Sequence, residues 1–413
     1  MVIMVKVSFS GFCIISALMF SQAIHWNILT KYDGLRAHHQ AERDKTGTVS
    51  GDPPGGTPVL FTGFEPGGRL NFLRSAAFMF ESIKFENFKA LRDTTLPLSR
   101  FTLIVGPNGS GKSTALNAFS VLRNPSHVLN NANQNRSVGV PLQSKIVLTA
   151  KWKDEGSDLF MDLRCLDGGL PKFDPLPVTP DLAELAQKLE RVLNRARVYS
   201  LDAAAIAAPV QLSPDMELGL DGSNLAGVLD RLRDKDPERF ETLNEQLGHW
   251  IPEFNRILFE TPYVGQRAIA LRTRDGNHVI KAGDLSQGTL IALALLTLAY
   301  LPEPPSIICL EEPDRGLHPR LLREVRDAIY RLAYPDGALE KREPVQVVAT
   351  THNPYFLDLF REHPEEVVIA EKIGLESKFS RLSDRADLEE ILGDAPLSEV
   401  WYSGVLGGVP AGT

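Results

Sequence analysis

With 413 residues, 43% of them hydrophobic and 23% charged, the chain can bury one large core or two modest ones, and it is neither a fibre nor wholly disordered. A formal net charge of −8 argues against a broadly basic nucleic-acid binder, although a local patch can still meet phosphates. The three cysteines, Cys13, Cys165 and Cys309, lie far apart without a CxxC pair, so neither a disulfide framework nor a zinc knuckle is indicated and a reducing cytoplasm fits.

From the amino terminus, Val7 to Phe20 is an apolar stretch too short to span a bilayer and like the apolar region of a signal peptide. The run GDPPGGTPVLFTGFEPGGR that follows later has little core-forming pattern, and Met79 directly precedes the first regular alternation, FESIKFENF. Residues 1–78 are therefore expected to be a non-core or disordered extension outside the fold, and no membrane association is expected. Phe80 to Phe88, Thr94 to Leu98 and Phe101 to Val105 read as short strands. A glycine-rich turn leads into helical spacing over Ser113 to Leu122, stopped by Asn124-Pro125. Residues 125–283 mix strands (near Lys145 to Trp152, Leu159 to Leu166 and Ala268 to Thr273) with helices (near Leu182 to Arg195 and Asn224 to Leu247), as an inserted mixed α+β lobe would. From Leu285 the pattern is helix to Tyr300, strand Ser306 to Leu310, helix Leu321 to Leu332 and strand Val345 to Thr350, then helix and strand again. Such alternation predicts an α/β fold with a mainly parallel sheet flanked by helices, its head split over 79–124 and 284–405, with 406–413 a tail. No sustained heptad run predicts coiled-coil arms.

Four segments carry chemistry. Gly106-Pro107-Asn108-Gly109-Ser110-Gly111-Lys112-Ser113, followed by Thr114, fits GxxxxGK[ST] between a predicted strand and a predicted helix. Glycines at this spacing let backbone N–H groups converge on phosphates at a helix N-terminus; Lys112 then reaches the β- and γ-oxygens and Ser113 ligates Mg²⁺. Ser306 to Leu310 is a wholly apolar strand capped by Glu311 and Glu312, two carboxylates at the carboxyl end of a buried parallel strand. Leu285-Ser286-Gln287-Gly288-Thr289 opens the apolar segment LIALALLTLAY; it reads either as an anion site at a helix N-terminus or as a plain N-cap by Ser286. Asp314-Arg315-Gly316-Leu317-His318-Pro319 follows the paired carboxylates, and Thr350-Thr351-His352-Asn353-Pro354 ends the next strand. His318 lacks a partner at metal-ligand spacing and reads as a packing or capping residue.

In this order the segments resemble the P-loop NTPases of ABC, SMC-head and RecF type, in particular predicted bacterial ATPases with an AAA-type core domain, similar to the ATPase head of OLD-family nucleases without its Toprim domain. The likeness covers about residues 79–405. It implies ATP and Mg²⁺ as ligands, with Gly106, Asn108, Gly109, Ser110, Gly111, Lys112, Ser113 and Thr114 holding the nucleotide, Ser113 and Glu311 serving the metal, and Glu312, His352 and Lys112 acting in hydrolysis. Asp is usual where Glu311 stands, so the extra methylene bears on metal geometry and rate. The resemblance further implies a head-to-head homodimer in which Ser286, Gly288 and Asp314 serve the partner's site. An ABC transporter motor shares these motifs but usually carries LSGGQ and an Asp before the catalytic carboxylate. Ahead of a transporter motor, the roles it implies are a DNA-associated ATPase in repair or phage defence, or a nucleotide-gated switch that holds an effector protein, in either case cytoplasmic. Arg267, Arg272 and Arg274 around one strand, and Arg191, Arg195 and Arg197 at a helix end, are the phosphate-contacting candidates; solvated polar faces are the blander reading.

Overall fold

The structure, a computed structural model, describes residues 4–9, 13–20, 23–25, 78–124, 132–141, 144–154, 157–165, 180–276, 278–338, 342–393 and 395–406. Three sheets organise it. The central one runs β17-β16-β6-β15-β14-β9, where β6 is Phe101–Val105, β9 Ala196–Tyr199, β14 Ile307–Glu311, β15 Gln346–Thr351, β16 Val367–Ile373 and β17 Glu376–Arg381. All are parallel except the edge strand β17, which returns antiparallel on β16.

Successive residues of these strands enter opposite cores. Phe101, Leu103, Val105, Ile308, Leu310, Val347 and Ala349 face one, whereas Ile104, Ile307, Cys309 and Val348 face the other. A strand buried on both faces has no polar side to alternate with, which is why this part of the sequence reads as continuous apolar runs. Cys309 is wholly buried, as expected of a core residue, and burial pushes its thiol pKa up. The first core is closed by helices Leu225–Lys235, Pro237–Trp250, Gln287–Ala299 and Leu322–Ala333. Gln287–Ala299 is apolar all round and buried from Leu290 onward, so it runs through the core rather than along its surface.

The second core lies between the central sheet, helix Lys112–Arg123 and an antiparallel sheet of order β3-β2-β1-β8-β7-β4-β5. Here β1 is Met4–Phe9, β2 Cys13–Phe20, β3 Ala23–His25, β4 Phe80–Phe88, β5 Leu91–Pro97, β7 Ile146–Asp154 and β8 Ser157–Cys165. Gln346 stitches the two sheets together. Its buried amide accepts from Phe80 N (2.9 Å) and donates to Phe80 O (2.7 Å) and Ser99 O (3.0 Å), satisfying both ends of the group. The third, smaller sheet joins β11 (Phe254–Glu260), β12 (Gln266–Thr273), β13 (Val279–Lys281) and β10 (Val210–Gln211).

Several strand pairings involve segments outside the expected split head. Of the apolar stretch expected to lie outside the fold, residues 7–9 fall in β1 and 13–20 in β2, with β1 antiparallel to β8; a strand-forming run has a ready partner in an open sheet edge. Residues 26–77 and 407–413 fall outside the described residues. Within 125–283, expected as an inserted lobe, β7 pairs with β4, and β9 extends the central parallel sheet beside β14. Both pairings join residues far apart in sequence, which local periodicity does not report. No helix among the described residues is long and apolar enough to cross a membrane.

Candidate nucleotide site

The predicted chemistry converges at the carboxyl ends of β6, β14 and β15. Gly106 to Gly111 bridge β6 to helix Lys112–Arg123, with Gly109 at φ 75° and Gly111 at φ 93°, a backbone region that side-chain-bearing residues rarely adopt. Lys112 is 7% exposed and its ammonium donates to Gly106 O (2.6 Å) and Pro107 O (3.0 Å), folded over the cradle its own loop makes. Burial holds its pKa below the ordinary lysine range, against the pull of Glu312 and Glu311.

Ser113 Oγ donates to Glu311 Oε1. The contact brings a hydroxyl and a carboxylate to one point, the hard-oxygen pair expected around a divalent cation that also binds phosphate. The longer side chain of Glu311 thus reaches the serine without displacing the strand. Glu312 sits at φ 46°, directly before Pro313, a strained placement for a non-glycine residue that costs on the order of 1–3 kcal/mol. Two contacts hold it. Its backbone N donates to Thr350 Oγ1 at 3.2 Å, and its Oε1 lies 2.9 Å from His352 Nδ1. Next door, Asp314 is buried and accepts from Thr351 Oγ1 at 2.9 Å, and burial raises its pKa.

Ser286 caps its helix by accepting from Thr289 N at 3.1 Å, while its own side chain and that of Gln287 remain exposed. A Cβ on Gly288 would come within 2.7 Å of Gly316 O, so this glycine is required for the close approach of the helix start to the turn after Asp314. His318 accepts from Arg320 N at 3.2 Å in a capping role. The predicted residues thus form two hydrogen-bonded pairs, Ser113–Glu311 and Glu312–His352, near Lys112, while Ser286 and Gly288 lie at a separate helix start and Asp314 is buried.

Two families match the chain: one described as "AAA ATPase domain" over residues 79–161, the other as "AAA domain, putative AbiEii toxin, Type IV TA system" over 170–358. The first span takes in the phosphate loop, the second Ser286, Glu312 and His352. Both descriptions are of AAA-type ATPase domains, to which these two spans are similar. It is 25% identical over 339 residues to an OLD nuclease of Thermus scotoductus, an overlap of 68% of this chain and 60% of that protein's length. Among solved structures, an SMC head bound to the C-winged helix domain of ScpA matches with TM-score 0.50 and 16% identity, covering 73% of this chain and 96% of that one. An SMC head domain from Thermotoga maritima matches with TM-score 0.43 and 17% identity, covering 73% and 98%. The first of these likenesses assigns the fold, a P-loop NTPase of SMC-head type.

Around this site, several positioning residues carried no signal of their own. Thr350 and Thr351 read only as the end of a strand, yet their hydroxyls hold Glu312 and Asp314 in place. The hairpin β16–β17 walls the phosphate loop, where the pattern beyond Thr350 predicted only a helix and a strand. Gly106 shows how tight that wall is: a Cβ there would lie 2.4 Å from Ala370 O, a backbone atom that cannot rotate away. Gly106→Ala is expected to displace the loop, lowering stability by about 1–3 kcal/mol and weakening ATP binding; urea titration and nucleotide-binding calorimetry read the two effects.

The predicted phosphate-contacting arginines are largely engaged within the protein. Arg267 pairs with Asp230 (3.0 Å), Arg272 with Asn255 Oδ1 (2.9 Å) and Arg274 with Gly248 O (3.1 Å). Arg195 donates to Pro304 O (2.7 Å), Arg197 pairs with Glu217 and Arg191 donates to Gln187 O (3.3 Å).

Proposed function

We propose that this chain binds ATP with Mg²⁺ and hydrolyses it to ADP and phosphate, two copies closing head to head around the nucleotides. The observation that carries the reading is the pairing of Glu312 with His352, at the ends of adjacent parallel strands and beside Lys112 and the Ser113–Glu311 pair. Backbone N–H groups from Asn108 through Thr114 and the start of the helix would receive the β- and γ-phosphates, with Lys112 turning from the loop carbonyls to the phosphate oxygens. Ser113 and Glu311 would serve Mg²⁺, which supplies charge neutralisation between the phosphates. Glu312 accepts a proton from the attacking water as its oxygen bonds to the γ-phosphorus; the bond to the ADP oxygen breaks, and the proton returns to solvent with phosphate release. His352 orients Glu312 and the water.

Support for closure in trans comes from Ser286, whose exposed helix end offers N–H groups and positive dipole to an anion yet carries no lysine. Asp314, buried and bonded to Thr351 Oγ1, would transmit closure to the strand end before His352. Localisation in the cytoplasm, where ATP is available, follows from the same reading.

For the cellular role, repair or phage defence on DNA is one reading. The engagement of Arg195, Arg197, Arg267, Arg272 and Arg274 with protein atoms favours the other, a nucleotide-gated switch that holds an effector protein. ATPase activity of the full chain, measured with and without duplex and single-stranded DNA over a salt series, separates them. A rate unchanged by DNA is expected; a salt-sensitive stimulation would instead establish the DNA reading.

A further inference from the structure

The wall of the phosphate loop contains a cation that the sequence motifs do not include. β16 and β17 pair with Ala370 opposite Phe379 and Lys372 opposite Ser377. Residues two apart on a strand share a face, as do directly opposed residues of neighbouring strands, so Ala370, Lys372 and Ser377 lie on one face of the hairpin. That face is applied to the loop at each of its glycines. A Cβ on Gly106 would meet Ala370 O at 2.4 Å, one on Gly111 would meet Ser377 Oγ at 2.9 Å, and one on Gly109 would have Lys372 Nζ at 3.8 Å. Register alone therefore delivers an ammonium to the rim of the phosphate cradle.

Lys372 is exposed and has no ion pair among the described residues. Its surroundings need a cation. Among the motif residues of the cradle, Lys112 supplies an ammonium against the two carboxylates of Glu311 and Glu312, before a polyanion arrives. A second ammonium at Gly109 offsets that excess at the side of the loop opposite β14. We propose that Lys372 is a second phosphate-binding cation, engaging the triphosphate chain from the rim while Lys112 grips it from within. The proposal rests on the nucleotide-binding reading above and adds a residue outside its motifs.

The test is calorimetric titration with Mg·ATP of the full chain and of its Lys372→Met, Lys372→Arg, Lys372→Glu and Lys112→Ala variants. Lys372 is exposed, so these side chains leave the fold intact. Lys372→Met should weaken ATP binding about fivefold and Lys372→Glu more, with Lys372→Arg staying within about threefold of the unaltered chain, the size expected of one partly solvated charge contact. A loss below about threefold for Lys372→Met, or an equal loss for Lys372→Arg, overturns the charge role. If the unaltered chain binds no more ATP than Lys112→Ala does, the nucleotide reading itself fails, a result distinct from either.

Discussion

Glu312→Gln should leave ATP binding close to that of the unaltered chain while slowing hydrolysis by about 10²–10⁴-fold, the usual contribution of a general base. The amide keeps the shape and the contact with His352 Nδ1, now at 2.9 Å from a carboxylate oxygen, and removes only the ability to accept the proton of the attacking water. The backbone contact to Thr350 Oγ1 is untouched, so the strained φ of 46° at this position remains supported. Because ATP then persists, the closed form is stabilised by bound ligand and the variant should accumulate as a dimer. Light scattering at saturating Mg·ATP reads the mass, and phosphate release reads the rate. A variant that stays monomeric under those conditions would sink head-to-head closure; one that hydrolyses at the original rate would move the base to another residue.

What the sequence made legible, and what it did not, follows from how each feature is encoded. The phosphate loop, the paired carboxylates, the signature-like helix start and the strand end at His352 are contiguous strings whose chemistry depends on local spacing, and all four lie where βα alternation puts them. The parallel sheet was readable because double burial leaves apolar runs such as Ile307 to Leu310. Partnerships between distant segments were not readable. Nothing local in Ile146–Asp154 says that it pairs with Phe80–Phe88, and nothing in the four residues Ala196–Tyr199 says that they complete the central sheet. Gln346 looks like a polar interruption until its three hydrogen bonds to Phe80 and Ser99 are seen. Lys372 looks like any exposed lysine until its register against Ser377 sets it over Gly109. Motifs name the atoms that touch substrate; the residues that aim those atoms are chosen by tertiary packing and carry no short signature.

Lys112→Ala should abolish measurable ATP binding at concentrations where the unaltered chain saturates, a loss of about 100-fold or more, equivalent to about 2.7 kcal/mol. The magnitude rests on where the ammonium sits. At 7% exposure it has already lost most of its water, and burial has lowered its pKa, so its remaining stabilisation comes from Gly106 O, Pro107 O and the fields of Glu312 and Glu311. Phosphate oxygens offer that desolvated cation far stronger partners than two neutral carbonyls do, which makes the exchange on ATP binding strongly favourable. The fold should lose little. Alanine removes a buried charge whose desolvation was itself costly, and the two carbonyls it leaves can take water from the open cradle. Thermal unfolding without nucleotide should therefore change by only a few degrees, while the stabilisation that ATP gives the unaltered chain should vanish. Lys112→Arg should not rescue binding, because a planar guanidinium does not fit a site shaped for a compact ammonium between Gly106 and Pro107. Retention of ATP affinity within about threefold in Lys112→Ala would overturn the reading of this loop as the site that grips the nucleotide's phosphates.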